Sequence, residues 1–196
     1  MDMVKAESAS EDALQQHEHI TQVASDANSP VFSPCGNFVA FLSDRGENKT
    51  SAVWIMPARG PGEAKLLKEF PLPVGDLTWS HEAGGIVVSA DVYVDQQAAN
   101  GNAEGKDSMA TTAARDKALK DDKALGGLNA VVFKKLPIRE WDRWLDAKMS
   151  HPFFLPVHAD SASPAGYVAD EGPAVDLLAG APSAVPSGAF GGSEDW

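Results

Sequence analysis

The sequence predicts an all-β fold: a partial β-propeller of about two to three blades, with a helical insertion in the second blade. The main observation is a pattern that occurs at residues 29–44 and again, more loosely, at residues 75–91. Each copy has a short strand that ends in an aromatic residue and a serine, a turn that contains glycine, and an apolar strand. Phe32 and Trp79 hold the same place in the two copies and lie 47 positions apart. A four-stranded blade repeats every 40 to 50 residues or so, roughly this spacing.

The turn in the first copy accounts for a reversal of the chain. In the segment Ser33-Pro34-Cys35-Gly36, proline presets φ at the second turn position and glycine accepts a positive φ at the exit. The strand that follows, residues 38–42, is apolar on both faces, as expected of a strand that is covered on both sides. An antiparallel β-sandwich also joins short strands by turns of this kind, and it stays the alternative fold.

Four strands are predicted for the first blade, at residues 30–33, 37–42, 52–57 and 64–68. The second blade begins with strands at residues 77–79 and 86–93. Residues 95–127 are polar and rich in alanine, and they are predicted to be an insertion with a helix over residues 113–125. After it, an apolar run at residues 152–157 and a short strand at residues 174–178 are expected.

The domain organisation follows from composition along the chain. Residues 1–25 are polar and acidic with few large apolar side chains, so they are predicted to be a weakly ordered leader. Residues 26–196 are predicted to be one incomplete propeller domain. Its last 35 residues are rich in Ala, Gly, Pro and Ser and are expected to be mostly loop.

Charge and cysteine content exclude several classes of function. Lys and Arg number 16 against 28 Asp and Glu, a net charge of -12. Nucleic-acid binding needs clustered cations, so no nucleic-acid partner is expected. No apolar stretch has the length of a membrane helix and the first residues lack a hydrophobic signal core, which predicts a cytoplasmic protein without a membrane partner. Cys35 is the only cysteine, and neither a metal site nor a cofactor is predicted.

Candidate functional residues are concentrated between Arg139 and Trp144. Trp141 and Trp144 lie three residues apart with Asp142 between them, and one turn of helix would place the two rings on one face, beside a carboxylate that a peptide could contact. Alternatively, the tryptophans seal one blade onto its neighbour. Cys35 has no cationic neighbour in the sequence to lower its pKa and is interpreted as a turn residue.

Several segments together resemble a known family. They occur in one order along the chain: residues 41–45, 53–56, 79–80, 139–144 with Ser150-His151, and 185–196. The most specific are Trp141-Asp142-Arg143-Trp144 and the ending Gly-Gly-Ser-Glu-Asp-Trp at residues 191–196. This series resembles the N-terminal propeller of dipeptidyl-peptidase V and acylaminoacyl-peptidase-like members of the prolyl oligopeptidase family. The chain departs from the usual Ser-Pro-Asp-Gly turn, because Cys35 stands where Asp is common.

The resemblance implies a role in a serine-type peptidase. In that family the propeller covers an α/β-hydrolase domain and limits access to small peptides, and a Ser-Asp-His triad on the hydrolase domain performs the chemistry. The serine requires a Gly-x-Ser-x-Gly elbow. This chain has no such elbow, and residues 191–195 come nearest to one. The resemblance therefore predicts a non-catalytic portion, inactive alone, whose partners are peptide substrates and a C-terminal hydrolase domain.

Length sets the remaining alternative. A closed propeller of about seven blades needs roughly 300 residues, and this sequence supplies two to three blades. We therefore expect a part of a longer peptidase that lacks the catalytic domain. A standalone propeller-type interaction module without hydrolase activity is the competing hypothesis.

Overall fold

The computed structural model describes most of the chain between residues 26 and 181. The described ranges are 26–46, 49–60, 62–80, 84–94, 107–123, 126–127, 138–140, 143–145, 148–163 and 165–181. The predicted leader, much of the predicted insertion and the segment 191–196 lie outside the described residues.

The first sheet is an antiparallel meander of four strands in sequence order. Its strands are β1 (Ala27–Phe32), β2 (Phe38–Ser43), β3 (Ala52–Pro57) and β4 (Lys65–Glu69). The turn after β1 is the one that the sequence predicts, since Gly36 has a φ of 70° and its N–H donates to the carbonyl of Ser33 at 2.8 Å. The hydroxyl of Ser33 accepts from the N–H of Phe38 at 3.2 Å and so fixes the start of β2. The four strands predicted for this region are confirmed.

The second sheet has five strands, and a long strand lies near its centre. Its strands are β5 (Gly75–Ser80), β6 (Gly85–Tyr93), β9 (Lys148–Ala159), β10 (Tyr167–Ala169) and β11 (Val175–Asp176). One edge of β9 pairs with β6 from Lys148 to Pro156. Its other edge pairs with β10 near Val157 and with β11 near Phe154. The strands β5, β6, β9 and β10 therefore form a second antiparallel meander.

The segment between β6 and β9 carries one helix and a small hairpin among its described residues. The helix α1 (Ser108–Asp121) begins five residues before the predicted start, because Asp107 caps it and accepts from the N–H of Ala110 at 3.0 Å. The hairpin consists of β7 (Ile138–Glu140) and β8 (Arg143–Leu145). The helical turn considered for residues 141–144 is wrong, since Arg143 and Trp144 lie in strand β8.

The two sheets share one apolar core. It is lined by Ala40, Leu42, Val53 and Ile55 of the first sheet and by seven fully buried or nearly buried residues of β6 and β9: Ile86, Val88, Ala90, Val92, Phe153, Leu155 and Val157. Strand β1 lies beside β5, and β4 lies beside β10. A fold of antiparallel sheets is confirmed. The first strands of the two meanders, β1 and β5, are neighbours, and so are their fourth strands, β4 and β10.

Two further sets of contacts, one polar and one aromatic, join the sheets. The Lys68 ammonium donates to three successive carbonyls, those of Asp170, Glu171 and Gly172, at 2.8, 3.1 and 2.8 Å. The ring of Tyr167 meets those of Phe38 and Trp79 edge-on, with centroids 5.6 and 5.0 Å apart. These contacts fix β10 against the first sheet.

Candidate functional site

A buried polar cluster lies where the second sheet meets helix α1. His151 is fully buried on β9, and its Nδ1 lies 3.0 and 3.1 Å from the two carboxylate oxygens of Asp176 on β11. The hydroxyl of Ser108, the first residue of α1, donates to Asp176 Oδ2 at 2.8 Å. Because an ionised carboxylate only accepts, Nδ1 of His151 carries the proton. Three elements distant in sequence therefore meet at one carboxylate.

Hydrogen bonding keeps this carboxylate ionised despite its burial. Burial raises the pKa of Asp176, but the hydrogen bonds from His151 and Ser108 outweigh that effect and hold the pKa below its usual value of 3.8. The N–H of Leu178 also donates to Asp176, at 2.9 Å. Asp176 is the acceptor on which the cluster depends.

The order of partners in the cluster differs from that of a catalytic triad. In a triad the serine hydroxyl bonds to the free imidazole nitrogen and the carboxylate bonds to the other one. Here Ser108 bonds to the carboxylate, and Nε2 of His151 is shielded from solvent with no hydrogen-bond partner in the part of the chain that the structure describes. The cluster can hold α1 against β9 and β11, but it does not activate Ser108 as a nucleophile.

Helix α1 has a second attachment toward its other end. The carboxylate of Asp116 accepts from the Tyr93 hydroxyl at 3.0 Å and from the Lys148 ammonium at 2.8 Å. The Arg115 guanidinium lies 3.7 Å from the centroid of the Tyr93 ring. Thr112, buried between the two attachments, accepts from the N–H of Tyr93 at 3.1 Å. These polar contacts, together with Met109, which is buried in the apolar core, attach the helix to the second sheet.

An exposed thiol lies at the junction of the two sheets. Cys35 Sγ is 3.3 Å from Ser33 Oγ and 3.5 Å from the Tyr167 hydroxyl. Hydrogen bonds from Ser33 and Tyr167 lower the pKa of Cys35 from 9.0 to about 7, and burial together with the bond to Cys35 raises the pKa of Tyr167. The sequence has no cation near Cys35 that would lower the pKa of the thiol. Two hydroxyls lower it instead, and one of them belongs to Tyr167 on β10. A cavity of about 250 Å³ next to Tyr167 is lined by β4 and β10.

The four residues predicted to face a substrate fall only partly within the described structure. Trp141 and Asp142 lie outside the described residues. Arg139 and Trp144 are opposite each other in the β7–β8 pair. Their substrate-facing role stays a prediction.

Comparison with models of known protein families and with curated protein sequences finds no match to this chain. Among the described residues, no group of three or more His, Cys, Asp or Glu side chains could hold a metal ion. In the same residues, no helix has the length and apolar character to cross a membrane.

Proposed function

We propose that this chain supplies blades of a β-propeller that gates a serine-type peptidase of the prolyl oligopeptidase type. One observation carries the propeller part of the proposal. Two successive four-stranded meanders pack with β1 beside β5 and β4 beside β10. Consecutive propeller blades have this arrangement, since each repeats the previous one around a common axis. A Greek-key sandwich instead connects strands across its two sheets.

The chemistry of the polar cluster supports a non-catalytic role. The side chains of His151 and Asp176 are buried, and Ser108 bonds to the carboxylate instead of the imidazole. A gating role requires rigid packing and a surface for peptides, and the nucleophile is supplied by another domain. The peptidase assignment itself depends on the sequence resemblance and on the segments 139–144 and 191–196.

The genomic sequence that follows the codon of Trp196 tests the peptidase assignment. A reading frame that continues into Gly-x-Ser-x-Gly, then Asp, then His would support it. A stop codon directly after Trp196 would contradict it and favour the standalone interaction module. This test needs no folded protein, so its outcome is independent of the stability of the chain.

Labelling with a fluorophosphonate provides the biochemical test. We expect no labelling of residues 1–196 and full labelling of the longer product, because an activated serine requires an imidazole at its hydroxyl. Ser108→Ala is the matched variant. Labelling of this chain that Ser108→Ala abolishes would refute the non-catalytic role.

A further inference from the structure

A cavity lies between the two sheets, where β4 runs beside β10. It has a volume of about 250 Å³, and its walls come from residues 65–67 on one side and from Ser163, Ala165 and β10 on the other. The cavity is open to solvent, and two of its lining residues, Leu66 and Val168, are each 45% exposed. A small ligand can therefore enter it while both sheets stay intact.

The interior of the cavity is mainly apolar. Leu67 of β4 and Tyr167 and Ala169 of β10 pack against the shared core, and Ala165 belongs to that core. Apolar walls of this kind bind apolar groups, because the ligand surface is removed from water. Since a cavity of roughly 150 Å³ accepts benzene, one of about 250 Å³ fits a ring or a branched chain of about ten non-hydrogen atoms.

One of the lining residues, Lys65, is charged. Lys65 is opposite Ile55, which lies in the shared core, so its side chain leaves β4 on the side of the second sheet. The Lys65 ammonium is 3.9 Å from Glu63 Oε2, and the Glu63 side chain is 91% exposed. Because an exposed ion pair at this distance is weak, the ammonium is able to bind another anion.

The other polar groups of the cavity already have partners. The Ser163 hydroxyl donates to the carbonyl of Tyr167 at 3.2 Å and accepts from the N–H of Ala165 at 3.2 Å. The Tyr167 hydroxyl lies 3.5 Å from Cys35 Sγ. Lys65 therefore determines which charge the cavity accepts.

We propose that the cavity between β4 and β10 binds a small monocarboxylic acid whose body is an aromatic ring or a branched aliphatic chain. The body packs against Leu67, Tyr167 and Ala169, and the carboxylate accepts from the Lys65 ammonium. A neutral molecule of the same shape lacks this charge-assisted hydrogen bond, and a cation is repelled.

The position of the cavity makes the proposal independent of the peptidase assignment. Both walls belong to this chain, and Lys65, Tyr167 and Ala169 lie on the sides of the sheets that face each other. A further propeller blade would pack on the outer face of a sheet. It would leave this cavity open.

The test uses the full chain labelled with ¹⁵N, with phenylacetate as the probe and phenylacetamide as the neutral control of the same size. We expect phenylacetate to shift the amide signals of residues 65–67 and 167–169 saturably at millimolar concentration. It should bind about fivefold more tightly than phenylacetamide, because the ammonium is partly exposed and its pairing is partly screened. Equal affinity of the two compounds, or no saturable shift with phenylacetate, would overturn the proposal.

A charge variant assigns the preference for the acid to Lys65. Lys65→Gln should abolish the preference for phenylacetate and leave the binding of phenylacetamide unchanged, because only the charge is lost. Lys120→Gln is the matched control, since Lys120 is an exposed lysine in the last turn of α1. An equal loss of phenylacetate binding in the two variants would mean that net charge alone acts, and it would contradict the proposal.

A larger side chain in the wall tests the apolar contact. Ala169→Leu should weaken the binding of both compounds about tenfold, because the added carbons take the place of the ligand. If Ala169→Leu lowers the melting temperature, the smaller change Ala169→Val should give a weaker loss of the same kind. Undiminished binding of phenylacetate in the variant that keeps the melting temperature would refute the site.

The end of a peptide chain is the other source of the same chemistry. N-acetyl-glycyl-phenylalanine with a free carboxylate carries an apolar ring and an anion, but its backbone exceeds the volume of the cavity. We expect it to bind less tightly than phenylacetate. Tighter binding of the peptide would overturn the assignment of the cavity to a small free acid.

Discussion

The two sheets have the same order of strands but differ in what they bury. The first runs from β1 to β4 over residues 27–69, and the buried side chains that its strands place in the shared core are aliphatic. The second is interrupted by residues 94–147, and it buries His151 and Thr112 beside its apolar residues. The contrast shows how a sheet accommodates a long insertion: the ladder between β6 and β9 continues past it, and polar bonds attach the inserted helix to the strands.

The largest expected effect tests whether the two sheets depend on one core. Phe153 is fully buried, and Phe153→Ala should lower the free energy of unfolding by about 4 kcal/mol through lost burial and a cavity. Urea denaturation measures the loss. Because the core is shared, hydrogen exchange should become faster in β2 and β3 as well as in β6.

Phe32→Ala is the control for this substitution. Phe32 is 62% exposed, so its removal should change stability by less than about 0.5 kcal/mol. Faster exchange in the second sheet alone after Phe153→Ala would mean that the two sheets unfold independently.

Among the described residues, a buried His–Asp pair occurs on the second sheet and not on the first. Asp176→Ala should destabilise the protein by about 3 kcal/mol, because it leaves His151 buried without its acceptor and removes the bond from Ser108. Urea denaturation again measures the change. Ser108→Ala removes one hydrogen bond and should cost about 1 kcal/mol.

The same cluster makes the stability of the protein depend on pH in the acid range. Since the folded-state pKa of Asp176 is lowered, its contribution to stability is fully present above the unfolded-state pKa and is lost as the pH falls through the folded-state pKa. Asp176→Asn should flatten the fall in stability at acid pH. An unchanged acid slope in that variant would show that Asp176 does not contribute.

Two glycines at turns, one in each sheet, allow the effect of crowding to be separated from that of backbone strain. Gly36 in the first sheet and Gly166 before β10 both have a φ of 70°, but a side chain at Gly36 would meet open space and one at Gly166 would meet the Phe38 ring. Gly36→Ala should therefore cost about 1 kcal/mol from backbone strain alone. Gly166→Ala should cost about 3 kcal/mol, because crowding adds to the strain. Thermal melts of both variants check the difference, and equal losses would contradict it.

The smallest effect concerns reactivity at the junction of the sheets. Alkylation of Cys35 by iodoacetamide should reach half its maximal rate near a pH of about 7, because the thiolate is the reactive form. Tyr167→Phe removes a hydroxyl that stabilises the thiolate, so its rate profile should move to higher pH. Ser33→Ala should move it in the same direction, and it should move further because Ser33 is the larger cause of the lowered pKa. Profiles that match the unaltered protein would show that neither hydroxyl acts on the thiol.

The strands of the first sheet could be predicted because their apolar residues and turns are local signals. Strand β10 could not, since Tyr167–Ala169 has three residues and is held by contacts to β9 and to the rings of Phe38 and Trp79. The alanine and lysine content predicts a later start for α1 than the structure has, although Asp107 is a good N-cap residue.

The polar sites depend on contacts that spacing does not reveal. His151 and Asp176 are 25 positions apart and meet only because β11 pairs with β9. Tyr167 reaches Cys35 across 132 positions. The charges near Cys35 in the sequence do not indicate that the hydroxyls of Ser33 and Tyr167 lower its pKa. The resemblance to a peptidase propeller, and the roles of Arg139, Trp141, Asp142 and Trp144, stay predictions.

The pairing of β6 with β9 also has a consequence for folding order. Tyr93 is opposite Lys148 and Gly85 is opposite Pro156, so every bond in this ladder closes a loop of more than fifty residues. Loop closure over such separations slows the formation of a sheet, whereas the meander from β1 to β4 needs only local contacts. During synthesis the first sheet can form while β9 is still inside the ribosome. Until β9 arrives, β6 exposes an unpaired edge, and that interval is when the chain is most exposed to aggregation.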